Sequence, residues 1–102
     1  MTTLLIDDDA TLRTVLRQAF ELEEMPVEVC GDPLDALTRV TPGFDGVIVT
    51  DVRMPGIDGI ELFRRVRAID PDIPVIVMTG HADHHMALKA VEAGAWDLLA
   101  KP

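Results

Sequence analysis

Short apolar runs alternate with amphipathic stretches from one end of the chain to the other. Val47, Ile48 and Val49, and again Val75, Ile76, Val77 and Met78, are apolar at successive positions, the pattern of strands covered on both faces of a parallel sheet. Five strands are predicted over residues 3–6, 27–30, 46–50, 74–79 and 96–100. Between them, apolar positions recur at helical spacing: Leu12, Val15, Leu16, Ala19 and Phe20; then Leu34, Leu37 and Val40; then Leu62, Val66 and Ile69; then Ala87, Ala90 and Val91. Asp9 and Asp32 stand where N-caps belong, Pro33 suits a first helical position, and Gly94 suits a helix end. The second strand opens with Pro26 and carries Glu28 between Val27 and Val29, as an edge strand does. With right-handed crossovers, the alternation predicts an α/β fold: a flavodoxin-like, doubly wound, five-stranded parallel sheet in the order 2-1-3-4-5.

At 102 residues and 48% hydrophobic, the chain has the size of one small domain and enough apolar content to form a core. Its apolar runs are far shorter than a bilayer span, and the N-terminus lacks a basic flank and cleavage pattern, so a cytoplasmic location is expected. A net charge of -9 argues against direct nucleic-acid binding by this chain and for cations or other proteins as ligands. Scattered acids such as Glu21, Glu23 and Glu24 read as ordinary solvated surface. The single cysteine, Cys30, reads as a small buried or half-buried filler.

In a parallel sheet all strands end at one edge, so the residues following each strand meet there. These are Asp7 and Asp8 after strand 1, Asp51 after strand 3, Thr79 at the end of strand 4, and Lys101 after strand 5. Strands 1 and 3 are neighbours at the switch point of this order, which puts the three aspartates in one crevice. Crowded carboxylates repel, and a hard divalent cation with oxygen ligands, Mg²⁺ above all, is the natural partner. That implies phosphoryl chemistry, with Asp51 as the nucleophile and Lys101 offsetting charge on the phosphoryl oxygens. Pro55 and Gly56 set a turn that aims a backbone carbonyl near Arg53 at the metal. Singly, an acidic triplet before a helix is a capping cluster and a Pro-Gly pair is a common turn. Their conjunction at the ends of four strands is what points to a site.

The stretches LLIDDDATLR, VIVTDVRMPGIDG, VIVMTG and GAWDLLAKP resemble the receiver domains of two-component response regulators, with matching spacing from Thr3 to Pro102. The resemblance implies that Asp51 accepts a phosphoryl group from the phosphohistidine of a sensor histidine kinase. It implies that Asp8 binds Mg²⁺ directly, that Asp7 assists largely through water, and that the Thr79 hydroxyl and Lys101 ammonium contact the phosphoryl oxygens. The protein would then be a switch acting through protein contacts, not a turnover enzyme. The chain looks most like the receivers of enhancer-binding transcriptional activators, dicarboxylate-transport regulators among them. That implies a downstream output domain outside this sequence, a possible homodimer, and a moving surface over residues 86–98.

Two departures from the family pattern stand out. Leu98 occupies a position where a Tyr or Phe is usual, and strand alternation would put Trp96 on the same face to serve as the aromatic reporter. The sequence also stops after Lys101-Pro102, where receivers continue into a closing helix. The expectation is a truncated chain, one domain over 1–102, whose sheet face beside the first helix lies bare and invites self-association. A phosphatase of the haloacid-dehalogenase type is the enzyme alternative, but it needs an acid two residues after the nucleophile, and Arg53 stands there, always protonated. A flavodoxin-like electron carrier is disfavoured because the acids after strand 1 repel a flavin phosphate. His81, His84 and His85 read as loop and helix-surface residues, with His81 and Arg53 at flanking positions that tune phosphate lifetime in receivers. Met54, Met78 and Met86 read as packing residues.

Overall fold

In the computed structural model, which describes residues 1–101 apart from the His81 side chain, each helix begins directly after an aspartate. The elements are β1 (Thr2–Ile6), α1 (Ala10–Leu22), β2 (Val27–Cys30), α2 (Pro33–Leu37), β3 (Gly46–Asp51), α3 (Gly59–Ile69), β4 (Val75–Thr79), a 3₁₀ turn (His81–Asp83), α4 (His84–Glu92) and β5 (Asp97–Ala100). Asp9 starts α1 by accepting hydrogen bonds from the Thr11 and Leu12 amides, at 2.9 and 3.2 Å. Asp32 does the same for Leu34 at 3.0 Å, with Pro33 at the first helical position. Asp58 caps α3 through the Glu61 amide at 2.8 Å, a cap not recognised from the sequence. Gly94 ends α4 with φ of +120°, a conformation open to glycine.

The strands form one parallel sheet in the order β2-β1-β3-β4-β5, with β2 and β5 at the edges. Asp51 is itself the last residue of β3, one beyond the predicted end: it pairs with Met78, whose carbonyl accepts from the Val52 amide at 3.1 Å. β5 starts one residue later than predicted, at Asp97.

One sheet face is closed by three helices. Leu4, Ile6, Ile48, Val75 and Val77 pack with Ala36, Leu62, Phe63, Val66, Ala87 and Ala90 in a single buried cluster. On α2 the buried helical positions are Pro33 and Ala36, while Leu34 is exposed, because the helix is only five residues long and its second turn is never completed. The other face carries Leu5, Val49 and Met78, with half-buried Leu16, Val27, Val29, Val47 and Ile76 beside them. Among the described residues α1 is the helix on this side, and every α1 side chain keeps some exposure; Val15 and Ala19, expected on its inner face, are exposed. One helix lies over only part of a five-stranded face, so Leu99 on β5 is exposed as well.

Candidate acidic phosphoacceptor site

Alternation along the strands carries Asp7, Asp51 and Lys101 in the same sense as Leu5, Val49 and Leu99, so all three leave the sheet edge together. Asp7 and Asp51 are buried and Asp8 is exposed, yet one carboxylate oxygen from each lies within 4.8 Å of the others. The Asp7 Oδ1 accepts from the Asp9 amide at 2.9 Å, and the Asp7 carbonyl accepts from Arg13 Nη1 at 2.7 Å. Lys101 Nζ donates to Asp51 Oδ2 at 2.9 Å and lies 3.1 Å from Asp7 Oδ2. The second approach is an ion pair without hydrogen-bond alignment: Asp7 Oδ2 is buried and accepts no hydrogen bond among the described residues. A buried anionic oxygen in that state suits a metal ion, and hard oxygen donors suit Mg²⁺.

Burial pushes the Asp51 carboxyl above its ordinary value; the Lys101 hydrogen bond opposes this and the charge of Asp7 adds to it. Burial alone would lower the Lys101 ammonium, but its hydrogen bond to Asp51 and the charges of Asp51 and Asp7 outweigh that and hold it above the usual lysine range. The site is therefore a carboxylate pair balanced by one cation, with the third carboxylate at its mouth.

Thr79 reaches the same edge, buried, but its hydroxyl donates to the Gly80 carbonyl at 2.8 Å and not toward Asp51. Its carbonyl accepts from the Lys101 amide at 3.0 Å, which ties the two strand ends together. The Arg53 side chain is engaged outside the cluster: Nε and Nη2 both donate to Asp83 Oδ1, at 3.0 and 2.7 Å. His84 borders a cavity of about 510 Å³ with Thr79, Gly80, Ala100 and Lys101, while His85 is on the exposed surface. The readings made for the His81 side chain and for Pro102 lie outside the described residues.

The loop after Asp51 is held from below. Val52 and Met54 are buried, Gly56 has φ of +88° in the predicted turn, and the Gly59 amide donates to the Val52 carbonyl at 2.7 Å. A Cβ on Gly59 would stand 2.3 Å from the Asp51 carbonyl oxygen, so the first residue of α3 packs directly on the acceptor's backbone. Nothing in the sequence pattern pointed to Gly59, since an Asp-Gly pair signals a turn or a cap and not a close approach.

Mg²⁺ added at ten times its dissociation constant is expected to stabilise the protein by about 1.4 kcal/mol and to raise Tm by roughly 6 to 10 °C. Asp7→Asn and Asp51→Asn should each lose most of that shift in a thermal-melt titration. An equal Mg²⁺ shift in all three proteins would exclude the acidic cluster as the binding site.

The family pattern described as the response regulator receiver domain matches residues 3–102. This chain belongs to that family. Receiver domains are signalling units of two-component systems and use Mg²⁺ at an acidic pocket; this chain carries a cluster of three aspartates, Asp7, Asp8 and Asp51. The receiver is 45% identical over 98 residues to the C4-dicarboxylate transport transcriptional regulatory protein DctD of Rhizobium meliloti, a match covering 96% of this chain and 21% of the relative. It is 41% identical over 101 residues to the DNA-binding transcriptional regulator NtrC of Klebsiella pneumoniae, covering 95% of this chain and 21% of the relative. The chain thus spans about a fifth of the length of these relatives. The crystal structure of a response regulator receiver domain protein from Clostridium thermocellum superposes with a TM-score of 0.90 at 30% identity, covering 99% of this chain and 82% of that one.

The strand expected to include Trp96 begins one residue after it. Trp96 precedes β5, its amide donates to the Val75 carbonyl at 2.8 Å, and its side chain is 74% exposed at the end of the sheet opposite Lys101. It borders a hollow with Phe63, Arg67, Ile73 and Val75, and Phe63, Ile73 and Val75 belong to the same core cluster on which Leu98 packs. The β4–β5 ladder begins at Asp97, one residue beyond Trp96.

Proposed function

We propose that this receiver is a phosphorylation-dependent switch in which Asp51 takes a phosphoryl group from the phosphohistidine of a sensor histidine kinase. The observation that carries the reading is Lys101 Nζ hydrogen-bonded to Asp51 and ion-paired with Asp7 Oδ2, a buried oxygen that accepts no hydrogen bond among the described residues. Asp51 Oδ forms the new P–O bond as the P–N bond to the kinase imidazole breaks, its electron pair returning to the ring nitrogen. Asp7, Asp8, the Asp51 carboxylate and the Arg53 backbone carbonyl would hold Mg²⁺, which when bound offsets charge on the phosphoryl oxygens. Lys101 turns from the carboxylate to a phosphoryl oxygen. The Thr79 hydroxyl leaves the Gly80 carbonyl for another, a rotation about one bond.

The output belongs to a downstream domain, transcription activation being favoured by relatives that are transcriptional regulators several times this chain's length. Among the described residues no helix is long and apolar enough to cross a membrane, in keeping with a cytoplasmic, kinase-facing domain. Homodimerisation through the face of α4 and β5 is part of the same reading. A dehalogenase-type phosphatase lacks its general acid, since Arg53 cannot give up its proton and is engaged by Asp83.

Incubation with Mg²⁺ and acetyl phosphate should add one phosphoryl group to the wild type, stable in acid and labile in base by intact mass, and none to Asp51→Asn. An adduct that survives in Asp51→Asn would overturn the assignment.

A further inference from the structure

We propose that the ion pair between Arg53 and Asp83 is a resting-state clasp, and that Asp83 takes a second position, as the N-cap of α4, when Arg53 lets go. Each of the four α-helices follows an aspartate, and three of these, Asp9, Asp32 and Asp58, have extended backbones and accept hydrogen bonds from amides of the first turn. Asp83 is the exception. Its φ and ψ are -107° and 7°, and its carboxylate makes no capping hydrogen bond among the described residues. Its carboxylate is instead held by Arg53, whose Nε and Nη2 both donate to one of its two oxygens, Asp83 Oδ1.

The two positions exclude each other. Capping needs extended backbone at Asp83, whereas the 3₁₀ turn, closed by the Asp83 amide on the Gly80 carbonyl at 3.1 Å, holds it coiled. The arginine is the partner free to leave: its side chain is 70% exposed, against 15% for Asp83. It is two residues from Asp51, so negative charge gathered on Asp51 competes with Asp83 for the guanidinium. The clasp thereby links the acceptor loop to the start of α4: charge at Asp51 draws Arg53 away, the 3₁₀ turn opens, and Asp83 orders the first turn of the helix. This coupling rests on the reading of Asp51 as phosphoryl acceptor, but the exclusive choice at Asp83 does not.

Amide hydrogen exchange, read by NMR on the whole chain with Mg²⁺, tests it. In Arg53→Gln the amides of His85 and Met86 should exchange roughly fivefold more slowly than in wild type, the effect of one N-cap, with no phosphodonor present. The double variant Arg53→Gln with Asp83→Ala should lose that protection. Beryllofluoride, a phosphoryl mimic, should produce the same slowing in wild type and none in Asp83→Ala. The clasp is overturned if Arg53→Gln exchanges like wild type, or if the double variant keeps its protection. Failure of beryllofluoride to bind would count against the acceptor reading alone, since the Arg53→Gln comparison decides the clasp without it.

Discussion

Gly59→Ala is expected to slow phosphoryl acceptance by roughly a hundredfold, the scale of a 1 Å misplacement at a reacting group. It should also destabilise the fold by about 2 kcal/mol, the cost of overpacking, with Tm lower by roughly 10 °C. The added methyl carbon would stand 2.3 Å from the Asp51 carbonyl oxygen and 2.9 Å from Val52 Cα. Both obstacles are backbone, so no side chain can swing aside. Relief requires moving either the start of α3, pinned by the Gly59 amide on the Val52 carbonyl, or the main chain that aims Asp51. The sign is the test. At an open helix position alanine stabilises by up to about 1 kcal/mol over glycine. A thermal melt in which Gly59→Ala gains stability would show that the close approach does not constrain the site, and a rate with acetyl phosphate equal to wild type would show the same for chemistry.

Lys101→Met should remove the cation that balances Asp7 and Asp51 and cost about 2 kcal/mol at pH 7 without Mg²⁺, less than breaking a fully buried pair because Lys101 keeps 23% exposure. The pH dependence follows from Asp51. The Asp51 carboxyl is already held above its ordinary value by burial, against the pull of the Lys101 hydrogen bond. Without Lys101 that pull is lost and its folded-state value rises further. A carboxyl raised on folding binds protons more tightly folded than unfolded, so stability is greatest below the unfolded value of 3.8 and falls as pH rises through the folded one. The gap between Lys101→Met and wild type should therefore be small near pH 3 and widen toward pH 7. Lys101 has the opposite dependence: its raised value means that its contribution is complete below 10.5 and is lost as pH climbs beyond. Mg²⁺ at saturating concentration should return part of the lost stability. Melting curves across pH that keep a constant gap would mean that Lys101 does not balance the buried acids, and a phosphorylation rate unchanged in Lys101→Met would remove it from the chemistry.

The order of the sheet, the edge position of β2, the meeting of Asp7, Asp8 and Asp51, and the arrival of Lys101 beside them were all legible in one-dimensional pattern. They rest on periodicity and parallel topology, which act alike on every strand: once the strands run the same way, residues that follow them must meet. The caps at Asp9 and Asp32 were readable for a similar reason, since capping joins residues two or three apart. The partner of Arg53 was not readable, because Asp83 lies thirty residues on, and a single sequence carries no mark of which acid an arginine will meet.

The course of Trp96 and the role of Gly59 fell to the tertiary structure too. Where a ladder begins depends on which backbone groups find partners, and here the first β4–β5 pair is Ile76 with Asp97, which leaves Trp96 outside. How close α3 comes to Asp51 depends on the packing of Leu62, Phe63 and Val66 on the sheet, a sum over many contacts that composition does not encode position by position. The sequence by itself determined which groups gather at the sheet edge, because strand period and chain direction are local and repeat. Only the tertiary structure decided how those groups are aimed and restrained: which oxygen of Asp7 accepts no hydrogen bond, which way the Thr79 hydroxyl turns, and which acid holds Arg53, since each is a choice among partners that only packing brings within reach.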